Sequence, residues 1–432
     1  MPEQWRHTYG ASGDDTFADL VPTDDGGYLL VGWTEDGDRD GWVLKTDGGG
    51  EKEWERSLGG NGTDRFYGVA ETDDGYLLAG RTDQNSGPNG WIVELSSDGD
   101  LEDERIADPG AFYALEPDDS GYLLAGWTRG DGREGRATKL GSDGATEWSE
   151  TYATPEGYDA GYLRAIVPTD DGYYLAGKTE GDSDDGWALS VDSDGSQNWQ
   201  STAGGPDRDD VWAAAPAGDG ESDAGFVMAG ETESNATGPR DGWLVKFDDD
   251  GEVEWERRHG GDGTQWLDSA MATDDGFLFT GSSDANSDSV DGYVLATDPE
   301  GEVAWESYYG TDSWDKPWPA VRAHGGGYVL AGQTAGDGAE GRDGWMLRIG
   351  GADGNSTEDG TESSETAEDT ESETADETTA EPPDGTTAED GAMEAETATG
   401  TEESASDVPG FGVGVALLAL AALVSALAVA RR

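Results

Sequence analysis

Cysteine is absent from all 432 residues. That excludes a disulfide framework, a thiol nucleophile and any zinc or iron–sulfur site held by thiolates. Positive charge is nearly as scarce: 25 Lys and Arg stand against 95 Asp and Glu, a formal net charge of −70. A surface of that sign repels phosphate backbones, so nucleic-acid binding is excluded. Histidine occurs only as His7, His259 and His324, and none has Ser/His/Asp or metal-ligand spacing around it. The opening MPEQWRHTYG lacks the apolar core of an export signal. Glycine and aromatic residues are abundant instead, with 69 Gly, 17 Trp, 15 Tyr and 8 Phe, too many rings for a chain disordered throughout.

Composition divides the chain into three regions. Residues 351–408 hold 20 acidic residues, 18 Ser or Thr, and neither a basic nor an aromatic residue. Such a segment buries too little apolar surface to offset its ordering entropy, so a disordered, self-repelling stalk is expected. Residues 409–432 read Pro409-Gly410-Phe411, an apolar run (411–430) expected to be a transmembrane helix, and Arg431-Arg432. Twenty helical residues span about 30 Å, one bilayer core. The terminal Arg pair should stay cytoplasmic, which places everything before it outside. Residues 1–350 retain 75 acidic against 23 basic residues and all 17 Trp. Their self-repulsion is relieved in molar salt, where the Debye length falls to ~3 Å. Lysine is limited to six positions against 19 Arg, and the composition resembles that of salt-in haloarchaeal proteins. An ordinary acidic secreted protein is the alternative.

The first region repeats. GYLLVG at Gly27 returns as GYLLAG at Gly75 and Gly121 and as GYYLAG at Gly172. It returns again as GFVMAG at Gly225, GFLFTG at Gly276 and GYVLAG at Gly327. Short apolar runs bounded by glycine signal buried strands. A second string follows each copy, DGWVLKTD at Asp40 being typical, and alternates as a strand with one buried face does. An acidic glycine turn and a third strand come next, the latter carrying Trp54, Trp148, Trp199, Trp255 or Trp305. A fourth run precedes the next glycine. Four strands per ~50 residues is a β-propeller blade. The last copy lacks its Trp-bearing strand, while the chain opens with EQWRHTYG, in which Trp5 and Gly10 match Trp255 and Gly260. The expected fold is therefore an all-β, seven-bladed propeller over residues 1–350, closed by the N-terminal strand.

These repeats resemble those of prokaryotic secreted and surface-bound β-propeller proteins, and distantly the kelch and quinoprotein dehydrogenase repeats. The C-terminus resembles the haloarchaeal PGF-CTERM sorting signal. That resemblance implies recognition of Pro409, Gly410 and Phe411 by an archaeosortase, removal of the helix and attachment to a membrane lipid. A permanent transmembrane anchor is the alternative. Export also implies a signal peptide upstream of this sequence.

The sequence identifies no catalytic residue. Asp-rich loops at 34–41, 181–186 and 286–292 suit Ca²⁺ through oxygen ligands, though none has EF-hand spacing, and no other cofactor is expected. The acid or amide before each GW or GY (Asp40, Asn89, Asp185, Asp241, Asp291, Asp343) recurs once per unit, as a turn cap or inter-blade hydrogen bond would. Asn61, Asn235 and Asn355 open Asn-x-Thr sequons and are candidate N-glycan sites. Trp266, Trp314 and Trp318 fall outside the repeat registers and are the candidate ligand contacts. The expected function is a cell-surface binding or structural module for an envelope polysaccharide or an S-layer protein. The alternative is an extracellular enzyme, a hydrolase or a pyrroloquinoline-quinone oxidoreductase, using the channel mouth.

Overall fold

A computed structural model describes residues 1–351 except 11–12, 85–86, 131, 219–224, 286–288 and 337–340. The remainder of the stalk, the sorting tripeptide, the apolar run 411–430 and Asn355 lie outside the described residues. Among those described, every regular element is a strand, and no helix is long and apolar enough to cross a membrane.

The expected four-stranded unit is formed as read. Thr16–Pro22, Tyr28–Asp36, Asp38–Thr46 and Lys52–Leu58 lie side by side in chain order, each antiparallel to the next. Sheets of the same order begin at Ala160–Pro168, Asp209–Pro216 and Gln265–Thr273. A fifth joins Asp315–Arg322, Tyr328–Thr334 and Asp343–Ile349 to the N-terminal strand Glu3–Tyr9. Trp5 pairs with Arg348 and Thr8 with Trp345, as Trp255 pairs with Lys246 and Arg258 with Trp243. The first strand thus completes the last sheet in the repeat's own register.

One stretch departs from the pattern. Leu101–Asp118 is a single 18-residue strand that joins seven strands into one sheet. Its first half pairs with Asn89–Ser96 and its second with Gly121–Arg129. The other joints between sheets carry connections of five to seven residues, six from Gly59 to Asp64 and five from Gly204 to Arg208. The 101–118 joint has none, so the outer strand of one unit runs straight on as the inner strand of the next.

The core lies between neighbouring sheets. Trp91 packs against Leu29, Val31 and Val43 of the preceding sheet, and Trp187 against Leu123, Ala125 and Ala137. Trp345 meets Leu278 and Val294 in the same way. These rings are fully buried, and each removes on the order of 150–250 Å² from water. Phe17 and Trp42 share a cluster with Val329, Ala331 and Met346, so the first sheet packs on the last and the ring closes. The outer-strand Trp side chains do a second job: Trp54, Trp148, Trp199 and Trp255 lie against Gly99, Gly195, Gly251 and Gly301 of the next unit's hairpin turn. Those glycines have positive φ, between 77° and 83°, and a Cβ there would meet the ring. The strand 101–118 has no such Trp, and Arg105 reaches the Gly144 carbonyl instead, at 2.5 Å.

The acids before each GW or GY carry only part of the capping. Asp241 accepts from the Thr237 and Gly238 amides at 2.9 and 3.4 Å, whereas Oδ1 of Asp40 is buried without a partner. The caps missed in the sequence are Asp64, Asp209 and Asp315, all buried. Asp64 accepts from the Gly60 amide at 2.8 Å, Asp209 from Gly205 at 2.6 Å and Asp315 from Thr311 at 2.6 Å. The Thr232 and Thr334 hydroxyls donate to Asp209 and Asp315. Their signal was an acid five residues after the strand-ending glycine.

Candidate functional site

Each inner strand breaks its ladder at one place. The register shifts between Phe17 and Asp19, Phe66 and Gly68, Leu163 and Ala165, Val211 and Ala213, and Leu267 and Ser269. Equivalent shifts fall after Phe112 and after Pro317. A bulge inserts an unpaired residue and re-aims its side chain. The residues so released are Ala18, Tyr67, Tyr113, Arg164, Trp212, Asp268 and Trp318, and all seven line one cavity of about 400 Å³ at the centre of the ring.

The terminal glycine of each GYLLVG-type string makes the bulge possible. A Cβ on Gly32, Gly80, Gly126, Gly177, Gly230, Gly281 or Gly332 would collide with the carbonyl of the inner-strand residue just before the one paired opposite. The repeat therefore fixes where the bulge falls and leaves the bulged residue free to vary.

The varied side chains form a belt. Trp318 and Trp33 lie 6.1 Å apart between ring centroids, Trp33 and Tyr67 6.1 Å, Tyr67 and Tyr113 5.1 Å, and Tyr113 and Tyr162 5.9 Å. Arg164 donates to the Tyr162 hydroxyl at 3.2 Å, and its guanidinium lies 3.5 Å from the Trp212 ring centroid. Lys316 closes the circuit, 5.0 Å from Trp318, 5.7 Å from Trp266 and ion-paired to Asp268 at 3.1 Å. Of the three Trp singled out in the sequence, Trp318 lines the cavity and Trp266 flanks the same lysine. Trp314 does not join them; its ring faces Arg342 at 4.6 Å. Trp33, Tyr67, Tyr113 and Trp212 were missed. Trp33 occupies the variable position after the repeat glycine, where Arg81, Trp127, Lys178, Glu231, Ser282 and Gln333 stand in other units.

Carboxylates face the same space. Asp19 accepts from the Leu20 and Val69 amides, both at 2.9 Å. Enclosure by the inner strands nevertheless pushes it up to about 7. Glu116 is exposed on the channel wall, yet the strands around it desolvate the carboxylate and, with the nearby Asp19 charge, push it up to about 8. Burial also raises Asp268 against the pull of Lys316. Lys178 bonds Asp184 of its own unit at 2.7 Å and Asp210 of the next at 2.5 Å, while Arg208 also pairs with Asp210.

The remaining candidates lie elsewhere. None of the three histidines lines the cavity. Among the described residues no group of three or more His, Cys, Asp or Glu is placed to hold a metal ion. Asn61 and Asn235 are exposed, and Asn235 adopts φ 56°.

No family model matches the chain, and no curated protein does. Solved structures do. A β-propeller domain from Myceliophteria thermophila aligns over 81% of this chain and 100% of its own, at 12% identity and TM-score 0.50. The fold is a β-propeller. Pseudomonas aeruginosa periplasmic gluconolactonase aligns over 77% of this chain and 97% of its own, at 13% identity and TM-score 0.49. A quinohemoprotein alcohol dehydrogenase from Pseudomonas putida aligns over 80% and 75%, at 11% identity and TM-score 0.45. At such identities the likeness extends to the propeller architecture alone.

Proposed function

We propose that the chain is a seven-bladed propeller that binds a carbohydrate at its channel mouth, as a non-catalytic module on the outside of the cell. Seven bulged inner strands reach the cavity, and the strand 101–118 serves two blades, one with each half. The observation that carries binding is the bulge set itself: six of its seven residues are aromatic or charged, and only Tyr67 and Tyr113 repeat between neighbouring blades. Aromatic faces edged by hydroxyl, guanidinium and carboxyl groups suit a pyranose, which offers CH faces to stack and hydroxyls to bond. A structural role would favour the same residue in every blade.

Pro409-Gly410-Phe411, the apolar run and the Arg pair support the surface address. Processing by an archaeosortase and transfer to a membrane lipid would then hold the propeller on its stalk, beside envelope polysaccharide or S-layer protein. The full chain in detergent and molar KCl, tested on a glycan array, should bind saccharide and lose it on Trp318→Ala. Binding to no saccharide at any salt concentration sinks the reading. Mass spectrometry of the mature C-terminus tests the address, since an intact helix defeats processing.

A catalytic reading of the same mouth is favoured by Asp19 and Glu116, whose carboxyl groups titrate near neutrality as proton donors and acceptors do. Hydrolysis of a bound oligosaccharide, lost in both Asp19→Asn and Glu116→Gln, would replace the binding reading. Binding without turnover retains it.

A further inference from the structure

Residues 1–350 hold 75 acidic and 23 basic residues, and among the described residues that line the channel cavity Arg164 is the only basic one. All six lysines are ion-paired. Arg164 has no ion pair among the described residues, although it lines the channel. Its Nη2 donates to the Tyr162 hydroxyl, while Nη1 is buried with no acceptor. Beside it, under the guanidinium, the Trp212 indole N–H is also buried with no acceptor. Asp210 and Asp268 feel the Arg164 charge through space, but their ion pairs go to Lys178 and Arg208 and to Lys316.

Buried donors in native folds almost always find acceptors, and a charged one left bare is the costliest case. Two bare donors side by side on the wall of a cavity, one of them a guanidinium held flat by an indole, mark where a ligand supplies oxygens. We propose that this pair receives the carboxylate of an acidic sugar, so that hexuronates are the ligand class of the channel mouth; this rests on the carbohydrate reading above. A carboxylate presents two oxygens in one plane, which the guanidinium fork and a neighbouring N–H can share. Tyr113 and Tyr162 flank the arginine and offer faces to the ring that carries the acid.

The test titrates the full chain, in detergent and fixed molar KCl, with glucuronate, glucose and sulfated-glucose oligomers of matched length. The uronate oligomer should bind at least about tenfold tighter than the glucose oligomer, a gap expected of one charge-assisted contact. Arg164→Gln should erase that preference, weakening uronate binding at least about tenfold more than it weakens glucose binding, because only the uronate loses a charge-assisted contact. Trp212→Phe, which keeps a ring and removes the N–H, should weaken uronate binding by about three- to tenfold. If Arg164→Gln fails to fold, Trp212→Phe carries the test. Equal affinity for uronate and glucose overturns the proposal, as does equal loss of both in Arg164→Gln or no loss in Trp212→Phe. A sulfated oligomer that outcompetes the uronate overturns the carboxylate. Failure of all three oligomers to bind overturns the carbohydrate reading, and this proposal falls with it.

Discussion

Between the blades, one position holds Trp42, Trp91, Trp187, Trp243 and Trp345 in five units and Tyr293 in a sixth, with Arg136 the exception. At the bulge facing the channel, the same ring presents Ala18, Tyr67, Tyr113, Arg164, Trp212, Asp268 and Trp318. The contrast follows from what each surface meets. Every blade packs against a neighbour of its own shape, so the same large ring solves the same packing problem repeatedly. The channel is shared by all blades, and a single ligand there has no repeat symmetry to match. Repetition marks the positions that build the fold; its loss marks the positions available to recognise something.

That contrast is broken most severely by Trp187→Ala. The side chain is fully buried among Leu123, Ala125 and Leu163, and its loss should cost about 3–5 kcal/mol, read as a lower denaturation midpoint. Saccharide binding below the new transition should be unchanged. Gly177→Ala joins the two surfaces, because its Cβ would strike the Tyr162 carbonyl beneath the bulge that presents Arg164. It should lose about 1–3 kcal/mol and also weaken binding; full binding in a destabilised variant would separate the glycine from the bulge. Trp318→Ala should do the reverse of Trp187→Ala, weakening binding about tenfold or more while stability moves by under about 1 kcal/mol.

The smallest effect is one of pH. Desolvation by the surrounding inner strands raises Asp19 to about 7 and, with the Asp19 charge, Glu116 to about 8. Stability from these groups is fully present below the unfolded value of about 4 and is lost as pH rises toward 7–8. Glu116→Gln should therefore flatten the fall in denaturation midpoint between about pH 4 and 8. At the rim, in the exposed turn from Thr23 to Gly27 that follows the Asp19 strand, the sign reverses. Hydrogen bonds from Thr23 and Lys45, with the Lys45 charge, outweigh burial and hold Asp25 at about 2. Its contribution is present above about pH 4 and lost as pH falls toward 2, so Asp25→Asn should alter only the acid limb. A single slope across both windows would dissolve the distinction between lumen and rim.

The strands and the ring's closure were legible because they depend on local periodicity. Gly27–Gly32 and its six echoes, the DGW strands and Trp5 in register with Trp255 all announce pairing through composition. The Trp266 and Trp318 neighbourhood was legible only as an exception to the repeat, and Trp314 shared that exception without sharing the place. Asp64, Asp209 and Asp315 escaped because a buried cap and a solvated acid look alike in so acidic a chain. The bulge escaped because it is a fact about two paired strands; the glycine opposite it was visible as a strand end, and its collision with a facing carbonyl was not.

The order of residues alone decided that this chain makes repeated four-stranded sheets, with large rings between them and the first strand returned to the last, since alternation and turn chemistry act over a few residues. Only the folded ring decided that Ala18, Tyr67, Tyr113, Arg164, Trp212, Asp268 and Trp318, drawn from positions 300 residues apart, share one wall. Proximity across a closed ring is set by the number and tilt of sheets, which no local stretch of sequence encodes.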